Sequence, residues 1–216
     1  MNIVLFGPPG AGKGTQANNL VHEFDLIKIS TGDLLRKEIE EKSSLGIEIK
    51  SIIDKGLLVS DNIIDNLIEK VMSNKVYEDR LIFDGYPRNL NQAKSLDSLV
   101  KKYNQKISCV LSLKVDYNII IKRIMGRQIC LKCELIFNEF FNPSTKENHK
   151  CESKFLRKRS DDNENVIKNR LKAHSVETEP VLNYYENQKL LTNIDGMSKI
   201  DEIYKEIRQI IHSLKT

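Results

Sequence analysis

Residues 3–15 read IVLFGPPGAGKGT, a short apolar run that passes directly into a glycine-rich turn ending in Lys13. The apolar run has the continuity of a parallel strand buried on both faces. Gly7, Gly10 and Gly12 lack a Cβ, so the backbone can curl tightly and aim several N–H groups at one anion. The helix opened by Gly14 and Thr15 adds the positive end of its dipole. The spacing G-x-x-x-x-G-K is that of a P-loop, and Lys13 supplies a point charge for β- and γ-phosphates. Gly14 stands where the common pattern has Ser or Thr, and the hydroxyl follows one place later at Thr15. Magnesium arriving with a nucleotide is therefore expected to be held mainly by phosphate oxygens and water. A bare strand-to-helix turn would not need three glycines and a lysine at this spacing.

Composition narrows the class. A chain of 216 residues suits one α/β domain, or one domain with an insert. Thirty-four basic against 30 acidic residues leave a net charge of +4, a mild attraction to anions that does not by itself argue for nucleic acid. A strand beginning at Asn2 leaves no room for a leader, and no apolar stretch approaches the length of a membrane span. Cys109 stands alone in a buried run while Cys130, Cys133 and Cys151 cluster, which points to a reducing compartment and metal binding, not to a disulfide framework. A cytoplasmic protein is expected, and nothing demands a partner chain, so a monomer is expected too. Arginine is scarce, with nine against 25 lysines. Each arginine therefore asks for a reason, because its planar fork grips phosphate oxygens in pairs as lysine cannot.

Apolar runs at 2–6, 80–84, 107–113 and 190–194, with a shorter one at 26–29, read as five buried strands. Helical patterns fill 13–24, 33–42, 61–72, 89–102, 116–125, 163–187 and 199–213, and Pro180 is predicted to kink the long one. Such alternation implies an α/β fold, a parallel sheet with helices on both faces. Two stretches break it. Residues 31–59 read as a helical insert punctuated by Gly46 and Gly56. Residues 126–162 carry CLKC, Phe137, Phe140, Phe141, Asn142-Pro143 and HKC, and read as a small irregular or hairpin module hinged at Gly126. Two inserts flanking a phosphate site suit movable covers that exclude water.

Five segments, GPPGAGKGT at 7–15, STGDLLR at 30–36, DGYPRNLNQ at 84–92, RIMGR at 123–127 and RSDDNENVIKNRL at 159–171, together resemble the long-lid adenylate kinases over essentially the whole chain. The resemblance implies a core of residues 1–29, 60–125 and 163–216, an AMP-binding insert at 30–59 and a lid at 126–162. It implies that Gly10, Ala11, Gly12, Lys13, Gly14 and Thr15 hold the ATP phosphates. By the same likeness Arg123 and Arg127 flank ATP, Ile136 and Phe137 cover it, and Ser198 offers a backbone contact to its adenine. AMP would meet Thr31, Arg36, Leu57, Leu58, Val59, the segment Gly85, Tyr86, Pro87 and Arg88, and Gln92 for its base. Arg159 and Arg170 would span both phosphate chains. Asp84, assisted by Asp33, would order the waters of the magnesium that accompanies ATP, and Asp161 and Asp162 mark the lid's trailing edge. The implied activity is reversible phosphoryl transfer from ATP to AMP giving two ADP, with Lys13, Arg88, Arg123, Arg159, Arg170 and Asp84 as the catalytic set.

The inventory of side chains agrees with this chemistry. Six of the nine arginines fall inside these segments, which suits a reaction between two polyanions. A hydroxyl acceptor would call for a carboxylate base, whereas a phosphate acceptor is already ionised and needs positioning and neutralisation. None of His22, His149, His174 and His212 lies in a catalytic segment, and each is expected at the surface.

The cysteine cluster resembles the structural zinc knuckle of many lids, but Lys154 occupies the fourth position and a protonated amine cannot bind zinc. Two readings stand: a Cys130, Cys133, Cys151 and His149 zinc site, or a metal-free lid with reduced thiols. Rival functions are a kinase using GTP as donor or UMP or CMP as acceptor, and a P-loop switch protein with one nucleotide site. A zinc ribbon on nucleic acid finds no dense basic stripe with interleaved aromatics to support it.

Overall fold

The apolar run that precedes the glycine turn forms β1 (Asn2–Phe6), buried along its whole length, in a computed structural model that describes residues 1–42, 44–55, 57 and 59–214. From it the chain runs through α1 (Lys13–Phe24), β2 (Ile27–Ser30), α2 (Thr31–Glu40), α3 (Ser44–Ile53), α4 (Asp61–Met72), β3 (Leu81–Asp84), α5 (Leu90–Lys102), β4 (Ile107–Lys114) and α6 (Tyr117–Met125). Three short strands follow, β5 (Arg127–Cys130), β6 (Ile136–Asn138) and β7 (Leu156–Arg157), then α7 (Glu164–Ala173), a π turn (His174–Thr178), α8 (Glu179–Asn187), β8 (Leu191–Asp195) and α9 (Ile200–Ser213). Among the described residues no helix is long and apolar enough to cross a membrane.

Five strands form a parallel sheet in the order β2-β3-β1-β4-β8, with β1 at its centre. Alternate residues of β1 face opposite sides, as strand geometry requires. Ile3 and Leu5 join a core with α1 and α9, while Val4 and Phe6 join a larger one with α2, α3, α4, α5 and α8. The predicted sheet, covered on both faces, is thus present. Its register lines Ser30 and Leu5 up with Asp84. The carboxyl ends of three neighbouring strands therefore open side by side, which is where parallel α/β sheets bind ligands.

The two irregular stretches take definite forms. Residues 126–162 contain a second, antiparallel sheet in the order β6-β5-β7. Thr31–Glu40 and Ser44–Ile53 form the helical pair α2 and α3, and α2 starts two residues earlier than its apolar pattern suggests because the Ser30 side chain accepts from the Asp33 N–H and caps it. Gly46 corrects the expected punctuation: it lies inside α3, buried where a Cβ would come 2.2 Å from the Glu38 carbonyl oxygen. It is there so that α3 can press against α2, not to end a helix. Gly56 lies outside the described residues, as does Leu58. The pattern at 163–187 is interrupted as Pro180 predicts, with the π turn just before the proline and Pro180 in the first turn of α8.

Gly46→Ala tests the close approach. Alanine favours a helix by about 1 kcal/mol over glycine, but overlap with backbone that cannot move aside costs about 1–3 kcal/mol. The expected result is a thermal midpoint lowered by roughly 2–6 °C, with amide exchange accelerated in α2 and α3 before the sheet.

Candidate active site

Above the carboxyl ends of β1, β2 and β3 lies a cleft of about 560 Å³. Its floor is the glycine turn. Gly10 and Gly12 take positive φ angles of 80° and 95°, for different reasons. At Gly10 a Cβ would meet Ile124 Cγ1 at 2.7 Å, so both conformation and space demand glycine, whereas at Gly12 only the left-handed backbone at the start of α1 does. Lys13 Nζ donates to the carbonyls of Gly7 at 2.7 Å and Pro8 at 3.1 Å. Gly10 through Thr15 all line the cleft.

Six arginines join Lys13 on its walls: Arg36 from α2, Arg88 after β3, Arg123 and Arg127 around the end of α6, Arg159 after β7 and Arg170 from α7. Each is anchored. Arg88 Nε donates to the Gly85 carbonyl at 2.8 Å, and Arg123 Nη1 to the Gly196 carbonyl at 2.9 Å. Arg127 grips Asp162 with two nitrogens, the Nε contact at 2.9 Å, and Arg170 Nη1 donates to Asp161 at 2.9 Å. Arg36 pairs with Asp33, and Arg159 Nη2 lies 3.7 Å from the same carboxylate. The cap of α7, where Asn163 accepts from the Val166 N–H at 3.1 Å, fixes the helix that carries Arg170.

The cations outnumber the carboxylates facing the cleft, and their proton affinities register it. Burial, then the nearby guanidinium groups of Arg88, Arg170 and Arg127, pull Lys13 down to about 8 against a partial opposing pull from Asp84. Burial and Arg170 bring Arg88 to about 10, and burial and Arg127 bring Arg159 to about 10. Asp161 shifts down as well, which for a carboxylate favours the charged form: burial opposes its charge, but Arg170, Arg36, Arg127 and Arg159 hold it below the usual carboxylate range. Cations that depress one another in this way are relieved by an anion placed among them.

Most of the other residues singled out from sequence reach the cleft: Asp33, Leu57, Val59, Asp84, Gly85, Pro87, Ile136, Phe137, Asp161 and Ser198. Thr31, Tyr86 and Gln92 do not line it; they sit one layer behind. Thr31 donates to the Gly85 carbonyl at 2.8 Å, Tyr86 to Asp65 at 2.9 Å, and the Gln92 carboxamide bridges the Arg88 N–H and Asp61, each at 2.8 Å. Among the wall residues not legible from sequence are Phe141, Asn138, His174 and Thr178. Phe141 lies under the Arg123 guanidinium at 5.7 Å from the ring centre, and Asn138 donates to the Arg123 carbonyl at 2.6 Å. His174 and Thr178 come from the π turn. The expectation that every histidine is superficial is corrected at His174, which burial and then the nearby Lys13 push down to about 4, and at His149, which is buried. Both are covered by tertiary packing that no local pattern encodes.

Away from the cleft, the ligand atoms of Cys130, Cys133, His149 and Cys151 lie within 4.8 Å of one another. His149 Nε2 is buried without a hydrogen-bond partner, and its Nδ1 meets the Ser144 hydroxyl at 2.9 Å. Lys154 instead pairs with Glu152 at 2.9 Å and lies over the Phe155 ring. Although burial disfavours its thiolate, the Cys133 and Lys132 backbone N–H groups and the nearby His149 imidazole and Cys133 thiol bring Cys130 down to about 6.

Residues 5–190 match the model of the family described as adenylate kinase. The chain is 45% identical over 211 residues to the adenylate kinase of Pelagibacter ubique, covering 98% of this chain and 99% of that one. It is 41% identical over 213 residues to that of Methanosarcina barkeri, covering 98% of each, and 39% identical over 216 residues to that of Bacillus pumilus, covering 99% of each.

The depressed Lys13 gives a signed prediction. With its free value about 8 and phosphate charge raising it, binding ATP at about pH 8.5 takes up a proton, and the uptake shrinks as pH falls below about 7. Calorimetry in buffers of different ionisation enthalpy reads this directly, and Lys13→Met is expected to abolish it.

Proposed function

The chain belongs to the adenylate kinase family, enzymes that move a phosphoryl group between ATP and AMP, and from that premise we propose how its cleft divides the work. One end, built from Gly10 to Thr15 with Arg123, Arg127, Ile136, Phe137 and Ser198, takes ATP. The other, with Arg36, Leu57, Val59, Gly85, Pro87 and Arg88, takes AMP. Leu58 belongs with this end by sequence, while Thr31, Tyr86 and Gln92 support it from behind. The observation that carries the assignment is that a single cleft gathers Lys13 and six arginines along both ends.

An oxygen of the AMP phosphate attacks the γ-phosphorus in line, the bond from that phosphorus to its β-bridging oxygen breaks, and two ADP remain. The acceptor is already an anion, so no general base is assigned. Lys13, Arg88, Arg123, Arg159 and Arg170 hold the two chains together against their repulsion and neutralise the charge that shifts during transfer. Adenylate kinases use ATP as its magnesium complex. The donor set fits that substrate: Asp84 brings a carboxylate to the cleft 3.6 Å from the position a Gly14 Cβ would take, beside Thr15, and Asp33 adds a second from α2.

Residues 30–59 and 126–162 serve as covers over a core of 1–29, 60–125 and 163–216, closing to keep water from the reacting phosphoryl group. The lid's three thiols and buried His149 nitrogen form a donor set suited to tetrahedral zinc, and the outward Lys154 leaves His149 as the fourth ligand. Zinc there would be structural. A monomer in the cytoplasm fits the unpaired cysteines and the presence of both nucleotide ends in one chain.

Lys13→Met and Arg88→Ala are each expected to lower kcat by about 10³-fold or more while leaving the thermal midpoint close to the parent's. Near-parental turnover in either would refute the charge-clamp assignment. Protein produced with zinc supplied should carry about one zinc per chain, and His149→Ala should bind it less tightly while Lys154→Ala should not.

A further inference from the structure

Arg170, His174 and Thr178 follow one another at intervals of four, and all three reach the wall of the cleft. In a plain α-helix a four-residue step overshoots one turn, so successive steps drift round the cylinder. The wider winding of the π turn His174–Thr178 takes up that drift. Its outer residues Ser175, Val176 and Glu177 are exposed, while Thr178 is buried. The turn thus returns Thr178 to the side that bears Arg170.

There its hydroxyl meets a specific partner. Thr178 Oγ1 donates to the backbone carbonyl of Arg88 at 2.8 Å. The Arg88 N–H is held from the opposite side by Gln92 Oε1 at 2.8 Å. Both main-chain polar groups of one arginine are therefore engaged by side chains from elsewhere in the fold, one from α5 and one from the π turn. A guanidinium sits at the end of a long side chain, so small shifts of its backbone become large errors at the phosphate, and misplacements of about 1 Å can cost about 10²-fold in rate.

We infer that Thr178 is a positioning residue for the phosphoryl-transfer arginine: its hydroxyl, delivered by the π turn, fixes the Arg88 backbone so that the guanidinium points at the acceptor phosphate. The inference rests on the assignment of Arg88 to the acceptor phosphate. Threonine is suited to the task because its branched Cβ restricts χ1, and the hydroxyl supplies the one donor the carbonyl needs.

The test compares Thr178→Val, Thr178→Ser, Thr178→Ala and Arg88→Ala in the full chain, measuring kcat, both KM values and the thermal midpoint. Thr178→Val keeps the shape and loses the donor, and should lower kcat about three- to tenfold with KM for ATP within about twofold of the parent. Thr178→Ser keeps the donor and should retain kcat within about twofold. If valine proves unable to fold, the alanine and serine pair reads the same difference. A parental kcat in Thr178→Val, or a serine variant as slow as the valine one, would overturn the inference while a crippled Arg88→Ala left the acceptor assignment standing. A parental rate in Arg88→Ala would overturn both.

Discussion

Like charges crowded into one cleft repel, and the arrangement of this molecule is organised around keeping them there. Lys13 and Arg88 are held far enough from bulk water that their proton affinities fall, and the arginines around them add to the effect. What restrains them is a set of carbonyls and carboxylates that do not move independently. Gly7, Pro8, Gly85 and Gly196 offer main-chain oxygens at the ends of strands, while Asp33, Asp161 and Asp162 offer partial neutralisation. The sheet makes this arrangement rigid. Central β1, paired on both sides, delivers the glycine turn beside Asp84, and the register of β2 and β3 brings Ser30 to the same level.

Thiols and cations serve opposite chemistries, and the chain keeps its cysteine cluster apart from its basic cleft. Cys130 ends β5, and Cys133, His149 and Cys151 lie in the loops around the same small sheet, so the cluster contributes no thiol to the cleft. The same small sheet gives the cleft Ile136, Phe137 and Asn138 along one edge. A metal that stiffened this sheet would therefore stiffen a wall of the nucleotide site from a distance.

Much of this is legible in the amino-acid sequence alone. The parallel sheet announced itself through β1, β3 and β4, which are buried on both faces and so appear as apolar runs, whereas the edge strands β2 and β8 are only partly buried. The glycine turn was readable because Gly10 and Gly12 answer local constraints, and the arginines because they stand out against a lysine-rich background. What escaped depended on packing between distant segments. Gly46 looks like a helix breaker until α2 is seen against it. His174 and Thr178 fall on an otherwise polar stretch, and only the register change of the π turn reveals that they face inward. Thr31 and Gln92 carry the right chemistry for a ligand, yet their hydrogen bonds go to Gly85, Arg88 and Asp61. A motif marks a neighbourhood; which member of it touches the cleft is decided by three-dimensional contacts.

The approach of Arg159 to Asp33 has one more consequence. These residues stand on opposite sides of the mouth, one after β7 and the other on α2, and they meet at 3.7 Å. If the two sides close over substrate, an attraction that forms only when both draw together would make neither closure independent of the other. Thermodynamic reciprocity would then make each substrate change the other's binding by the same factor. Cooperativity between two different ligands, within one polypeptide and without subunits, would follow from a single carboxylate shared across the opening.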